Sequence, residues 1–101
     1  MITKEEFFKN VGNMPKQFFS GRQHIMYTIL SVVGNLCKGQ RESGANFEID
    51  LNGLYRAYLE NDRINVSTLR DDEYVTVRWR SPSIAIMMNA GLIDENGYAN
   101  K

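Results

Sequence analysis

The sequence predicts a small α+β domain that is mainly helical and carries a short antiparallel sheet. Apolar side chains recur at helical spacing over residues 21–38, capping residues mark further helices, and YVTVRWR at residues 74–80 alternates like a strand. A chain of 101 residues is long enough for one hydrophobic core. We therefore expect a single domain over residues 1–101, with short N-terminal helices in residues 1–19 and the core in residues 20–101.

Two helices have clear start signals. Thr3 and Glu6 form a capping box, so the first helix is predicted to begin near Lys4. Asp50 is suited to cap another helix over residues 51–60, whose apolar side chains form one stripe. Both predictions rest on local signals at the helix ends.

The longest apolar-periodic segment, residues 21–38, is predicted to be the central core helix. Ser20 and Gln23 form a capping box ahead of it. Its apolar residues at helical spacing are Ile25, Met26, Ile29, Val33, Leu36 and Cys37. The polar run at residues 38–46 is predicted to be a loop, followed by a brief alternating segment at residues 47–49.

The predicted sheet comes from the second half of the chain. Residues 74–80 form its best strand, because they alternate and are rich in β-forming residues. A turn at residues 70–73 would pair them with a second strand at residues 64–69. That second segment also fits a short helix capped by Ser67, and the strand is the interpretation we adopt.

The end of the chain resembles part of a known fold. A last helix is predicted to start with Ser81 and Pro82 and to end at Gly91, and two apolar residues and an Asn-Gly turn follow. This arrangement, over residues 81–98, resembles the recognition helix and wing of winged-helix DNA-binding domains. The remaining matches to that family are residues 21–38 as its first helix, 47–49 as its first strand and 51–60 as its second helix. The resemblance implies a divergent winged helix that binds DNA.

The predicted DNA contacts lie on the strand before that helix. In a strand, Tyr74, Arg78 and Arg80 face one side and Trp79 faces the core. Cationic and aromatic side chains of this kind hold phosphates and stack on bases. The predicted nucleic-acid-binding residues are Tyr74, Arg78 and Arg80, with Arg22, Lys38 and Arg41 from the first part of the chain. On this interpretation the protein is a non-enzymatic DNA-associated regulator or accessory protein, and its partner is duplex DNA.

The charge distribution limits this hypothesis. The chain has 12 basic and 12 acidic residues. Residues 1–41 hold six basic and two acidic residues, whereas residues 42–101 hold six basic and ten acidic residues. Nucleic-acid-binding domains usually carry a clear basic excess, so this balance argues against avid nonspecific DNA binding.

The alternative hypothesis is a small protein-binding adaptor or inhibitor with no nucleic-acid contact. Ile86 and Met87 are its predicted interface residues, since flexible methionine side chains suit adaptable interfaces. Phe7 and Phe8 are added to this set, because the phenylalanine pairs near the N-terminus either close the core or form the contact of a homodimer.

Enzymatic activity is not predicted. His24 is the sole histidine, lacks placed partners and is assigned a structural role within the predicted core helix, stacked on Phe19. Cys37 is the sole cysteine and is expected to be a small core residue rather than a nucleophile. The acidic residues 71–73 are predicted to be a solvated turn, and no cofactor or metal is expected. Without a long apolar run or intrachain disulfide, we expect a cytoplasmic protein with no membrane partner.

Overall fold

A four-stranded antiparallel sheet is the central element of the computed structural model, which describes residues 2–20, 24–69 and 73–101. The strands are neighbours in the order in which they occur along the chain. Within the described residues, the elements in chain order are α1 (Lys4–Asn13), β1 (Gln17–Phe19), β2 (Met26–Val33), β3 (Leu36–Arg41), β4 (Asn46–Asp50), α2 (Leu51–Glu60), a 3-10 turn (Val77–Trp79) and α3 (Arg80–Asn89).

One face of the sheet forms the floor of the hydrophobic core, and the helices cover it. Along each strand the buried side chains of this face alternate with exposed side chains of the opposite face, as expected for a sheet with one face in contact with solvent. The inward-facing strand residues are Phe18, Tyr27, Ile29, Cys37, Phe47 and Ile49. The helices add Phe7, Val11, Leu51, Leu54, Tyr58, Ile86 and Met87, all buried in the same cluster.

α1 and α2 begin as predicted. The Thr3 hydroxyl accepts from the Glu6 N–H, and the Glu6 carboxylate accepts from the Thr3 N–H, so the capping box is confirmed. Asp50 caps α2 by accepting from the Asn52 N–H at 2.9 Å. Its carboxylate also accepts from the side-chain amide of Asn35, which fastens the β2–β3 turn to the start of α2.

The predicted core helix over residues 21–38 is wrong, because β2 and β3 form a hairpin there. Val33 pairs with Leu36 across a two-residue turn at Gly34 and Asn35. Gly34 has a φ of +59°, a left-handed conformation that glycine adopts without steric cost. Turns of this kind match the twist of the flanking strands, so this pair of residues reverses the chain where a helix would have continued.

A β-bulge interrupts the pairing of β2 with β3. Ile29 is opposite Gly39, whereas Ser31 is opposite Lys38, so Leu30 is the extra residue. The alternation of inward and outward side chains along β2 therefore shifts by one residue at the bulge, so that the inward positions 27 and 29 are followed by 32. By simple alternation Val33 would lie on the inward side with Tyr27 and Ile29, but the change of phase places it on the outer face, where it is 73% exposed.

The two predicted strands at residues 64–69 and 74–80 are also wrong. Arg63 makes an isolated bridge to Tyr98, and turns follow it up to residue 69. Bends at residues 73–75 lead into the 3-10 turn, and α3 begins directly at Arg80. The predicted hairpin turn at residues 70–73 lies outside the described residues except for Glu73. The alternating pattern of this segment has no partner strand within the described part of the chain.

The predicted fold, a mainly helical domain with a short sheet in the form of a divergent winged helix, is therefore wrong. The sheet comes from residues 17–50, most of which had been assigned to helices and a loop. The segment matched to the first winged-helix helix is a β-hairpin. Gly91 does end α3, with a φ of +75°, but residues 93–99 form isolated bridges instead of a two-stranded wing.

Candidate interaction surface

The residues predicted to bind DNA through a strand do not share a face. Tyr74 donates its hydroxyl proton to Glu60 at 2.8 Å, a hydrogen bond that raises the pKa of Tyr74. Arg80 donates its Nε proton to the Val77 carbonyl at 3.0 Å. Arg78 is exposed, and its guanidinium lies 5.2 Å from the centre of the Trp79 ring. These side chains are turned toward local partners because residues 74–80 are not extended.

The predicted basic residues of the first half of the chain are also separate. Lys38 and Arg41 both lie on β3, but three positions apart, so their side chains leave opposite faces of the sheet. Lys38 is opposite Glu48 of β4, and Arg41 is opposite the buried Tyr27. Arg22 lies outside the described residues.

Three of the four predicted protein-interface residues are buried inside the domain. Phe7, Ile86 and Met87 are each 0% exposed, so they belong to the core and cannot contact a partner in this fold. Phe7 packs edge-on against Tyr55, with 5.2 Å between ring centres. Phe8 is half-buried, with the Lys4 ammonium 5.7 Å from its ring centre.

His24 and Cys37, which were both predicted to have structural roles, lie in different environments. His24 is exposed with a φ of 51° just before β2, and its predicted place in a core helix is wrong. Cys37 is buried in β3, which confirms it as a core residue. Burial raises the pKa of the Cys37 thiol to about 11, although the positive charge of Lys16 opposes this shift. At neutral pH the thiol is therefore protonated and a poor nucleophile.

The raised pKa of Cys37 predicts a loss of stability at alkaline pH. The folded state holds the thiol proton more tightly than the unfolded state, so its contribution is complete below pH 9 and is lost as the pH rises toward 11. Over this range we expect the free energy of unfolding to fall by on the order of 2–3 kcal/mol more in the wild type than in a Cys37→Ala variant. Denaturant titrations of both proteins measure this difference, and equal losses would contradict it.

The C-terminal turn that was predicted to be a wing forms one wall of a cleft. Asp94 accepts from the backbone N–H groups of Asn96 and Tyr98 at 2.9 Å, which fixes the turn. Arg63 donates to the Asn96 carbonyl at 2.9 Å and lies over the Tyr98 ring. The cleft has a volume of about 750 Å³, and its opposite wall is the stripe Ser81, Ile84, Ala85 and Met88 of α3.

The face of the sheet that points away from the helices carries exposed apolar side chains. Phe19 at the end of β1 is 56% exposed, and Leu30 and Val33 of β2 are 60% and 73% exposed. Met26 is opposite Phe19 and is half-buried. Single exposed apolar residues are ordinary, but these four side chains lie along two paired strands of one face.

Charge is distributed unequally over this outer face. Its charged strand residues, Lys38, Glu48 and Asp50, all lie on β3 and β4. No residue of the strands β1 and β2 is charged. We call the half of the outer face that these two strands form the β1–β2 strip, and its outward residues are Gln17, Phe19, Met26, Thr28, Leu30, Ser31 and Val33. A partner that covers the strip would therefore remove no ionised side chain of the strip from water.

The strip was not identified from sequence, although one signal for it was present. Gly34 and Asn35 form a Gly-Asn pair directly after a run rich in β-branched residues at positions 28–33, which is typical of a hairpin. Recognising that hairpin would have placed Leu30 and Val33 on strands. The bulge that turns Val33 outward has no comparable local signal.

Other classes of site receive no support from the described residues. In residues 2–20, 24–69 and 73–101 no group of three or more His, Cys, Asp or Glu side chains is placed to hold a metal ion. None of the helices described is both long enough and apolar enough to span a membrane. Neither a family model nor a curated protein nor a solved structure matches this chain, so its functional interpretation depends on its own surface.

Proposed function

We propose that this protein is a small adaptor or inhibitor that acts by binding another protein chain, without catalysis, and that it binds through the β1–β2 strip. The observation that carries this proposal is the exposure of Phe19, Leu30 and Val33 on an uncharged half of the sheet. Each of these three large apolar side chains is more than half exposed, and contact of apolar surface with water is unfavourable in free energy. A bound partner would remove this surface from water.

The size of this effect is sufficient for specific binding. Full burial of an apolar side chain of this kind contributes ~1.5–3 kcal/mol, and more than half of each side chain remains to be buried. Anchors of this type typically dominate the binding energy of a protein interface. Leu30 and Val33 are also held on a rigid support, because the turn after β2 is hydrogen-bonded to the start of α2.

A DNA-associated function stays a prediction with weaker support. It was based on a shared face of Tyr74, Arg78 and Arg80, and those side chains contact local partners instead. A phosphate-binding surface also needs clustered cations. Lys38 has an acidic cross-strand neighbour, Glu48, and so adds little positive potential to the outer face.

Site-specific photo-crosslinking in the cells that make the protein tests this proposal. A photoreactive side chain would be introduced at Val33, and in a second protein at Glu5, which is exposed on α1 in the opposite layer. We expect a discrete crosslinked protein product from position 33 and none from position 5. The reason is that only the first position lies on the β1–β2 strip.

Two outcomes would contradict the proposal. Equal crosslinking from both positions would mean that the strip has no preferred partner. Nucleic acid crosslinked at position 33 would favour the DNA-associated function. In that case the logarithm of the affinity for a DNA duplex, measured by fluorescence anisotropy, should fall linearly with the logarithm of the salt concentration. Replacing Arg78 and Arg80 with Ala should weaken this binding and flatten its salt dependence.

A further inference from the structure

We infer that the chain which covers the β1–β2 strip is a second copy of this protein, related to the first by a two-fold axis. This inference rests on the proposed function and names its partner. Most soluble oligomers are homo-oligomers, and a two-fold interface must be complementary to itself. The strip meets this condition in three respects: the positions of its apolar side chains, the extent of β1 and the placement of the neighbouring charges.

Most of the apolar side chains lie at the two ends of the strip. Phe19 and Met26 are cross-strand partners at one end. Val33 lies at the other end of β2, roughly 20 Å from Met26 along the strand, and Leu30 lies between them, roughly 13 Å from Met26. Besides Leu30, the middle of the strip presents uncharged polar side chains, including Gln17 and Thr28, which pair with each other across the strands.

A two-fold axis in the plane of the interface and perpendicular to the strands brings unlike ends together. Met26 of one copy then lies over Val33 of the second copy, and the reverse contact forms at the other end. β1 pairs only with residues 26–28 of β2, so no strand lies beside Val33 on that side among the described residues. This leaves space beside Val33 of the second copy for the ring of Phe19.

The charged half of the outer face is compatible with the same arrangement. Lys38 is in register with Ser31, and Gln40 is in register with Thr28. The two-fold axis passes between the cross-strand pair Ser31–Lys38 and the cross-strand pair Thr28–Gln40. Lys38 of one copy therefore lies over Gln40 of the second copy. Glu48, which is in register with Lys38, lies over Asn46 of the second copy for the same reason. Lys38 and Glu48 therefore do not face like charges, and the chain as a whole has no net charge that would repel a copy of itself.

The test is a pair of complementary charge variants studied by sedimentation velocity and native mass spectrometry. The wild type is expected to show a concentration-dependent monomer–dimer equilibrium. Phe19→Glu and Val33→Lys alone should each weaken the homodimer at least about 30-fold, because each buries unpaired charges at the two contacts. When the two variants are mixed, Glu at position 19 meets Lys at position 33 and the other contact keeps its native side chains. The mixture should therefore form a heterodimer.

Control variants separate this contact from effects of net charge and folding. Lys9→Gln and Glu5→Gln change the net charge by the same amounts as the two strip variants, but on α1, and should dimerise like the wild type. Circular dichroism would check that all variants fold, as expected for positions 19 and 33, which are more than half exposed.

Several results would overturn the inference. These are a wild type that stays monomeric at high concentration, a dimer that survives both single variants, and a mixture that forms no heterodimer. The proposed function would fail separately. If position 33 crosslinks to a different protein while the purified chain is monomeric, the binding function stands and the second copy is excluded as the partner.

Discussion

Replacing Met87 with Asp is expected to leave the chain unfolded at room temperature. The Met87 side chain is 0% exposed and belongs to the cluster formed by the helices and the inner face of the sheet. An aspartate there would either lose its hydration without a partner or take up a proton at a comparable cost. We expect a loss of more than ~4 kcal/mol, a large part of the ~5–15 kcal/mol by which small domains are stable.

The control for this variant is Ser81→Asp, which adds the same charge to the same helix. Ser81 is exposed in the first turn of α3, where a negative charge is favourable to the helix dipole. This variant should keep the wild-type circular dichroism spectrum and melting temperature, whereas Met87→Asp should lose its cooperative transition. A folded Met87→Asp protein that has lost partner binding would instead restore the sequence-based assignment of Met87 to an interface.

Replacing Gly53 with Ala is expected to destabilise the domain, although alanine is the better helix former. A Cβ atom at position 53 would overlap the carbonyl oxygen of Tyr74, a backbone atom that cannot move aside like the end of a side chain. Alanine favours a helix over glycine by ~1 kcal/mol, but displacing the segment at residues 73–76 costs more. We expect a net loss of about 2 kcal/mol.

Gly12 offers the opposite result in the same protein. It lies in the last turn of α1, and a Cβ atom there would have no neighbour within 4 Å. Gly12→Ala should therefore stabilise the domain by ~0.5 kcal/mol. Chemical denaturation of both variants measures the two changes. If Gly53→Ala were also stabilising, the contact between α2 and the Tyr74 backbone would not exist in solution.

The elements that were predicted correctly have signals confined to a few neighbouring residues. Thr3 and Glu6 satisfy each other across one helical turn, and Asp50 caps α2 through the residue two positions further on. Such contacts form without help from the rest of the fold. For this reason the starts of α1 and α2 agree with the sequence-based boundaries.

The hairpin was missed because its pattern is not a simple alternation. Inward positions 27 and 29 are followed by 32, since the bulge at Leu30 adds one residue to β2. Apolar residues on the outer face of the strip, such as Met26 and Val33, further obscure the alternation. Together they produce spacings of three and four, which are the mark of an amphipathic helix. An apolar outer face thus led to the wrong secondary structure and is also the feature on which the proposed function rests.

The failed strand at residues 74–80 has a different origin. Its alternation is real, but a strand also needs a partner, and the described residues provide none beside it. Here the segment is held by tertiary contacts that are invisible in one sequence. Arg56 lies over the Tyr74 ring and donates to the carbonyl of Glu73, and Gly53 allows the close approach to α2.

The bulge at Leu30 also bears on how far an assembly of this protein can grow. A regular uncovered strand invites further chains to add by backbone pairing, and this process has no natural end. The extra residue breaks the even spacing of donors and acceptors in the part of β2 that β1 does not cover. Recognition through this region then depends on side chains. In a two-fold dimer each copy covers the same surface of the other, so no further chain can add there. The same irregularity that places Val33 on the outer face therefore favours a discrete particle over a fibre.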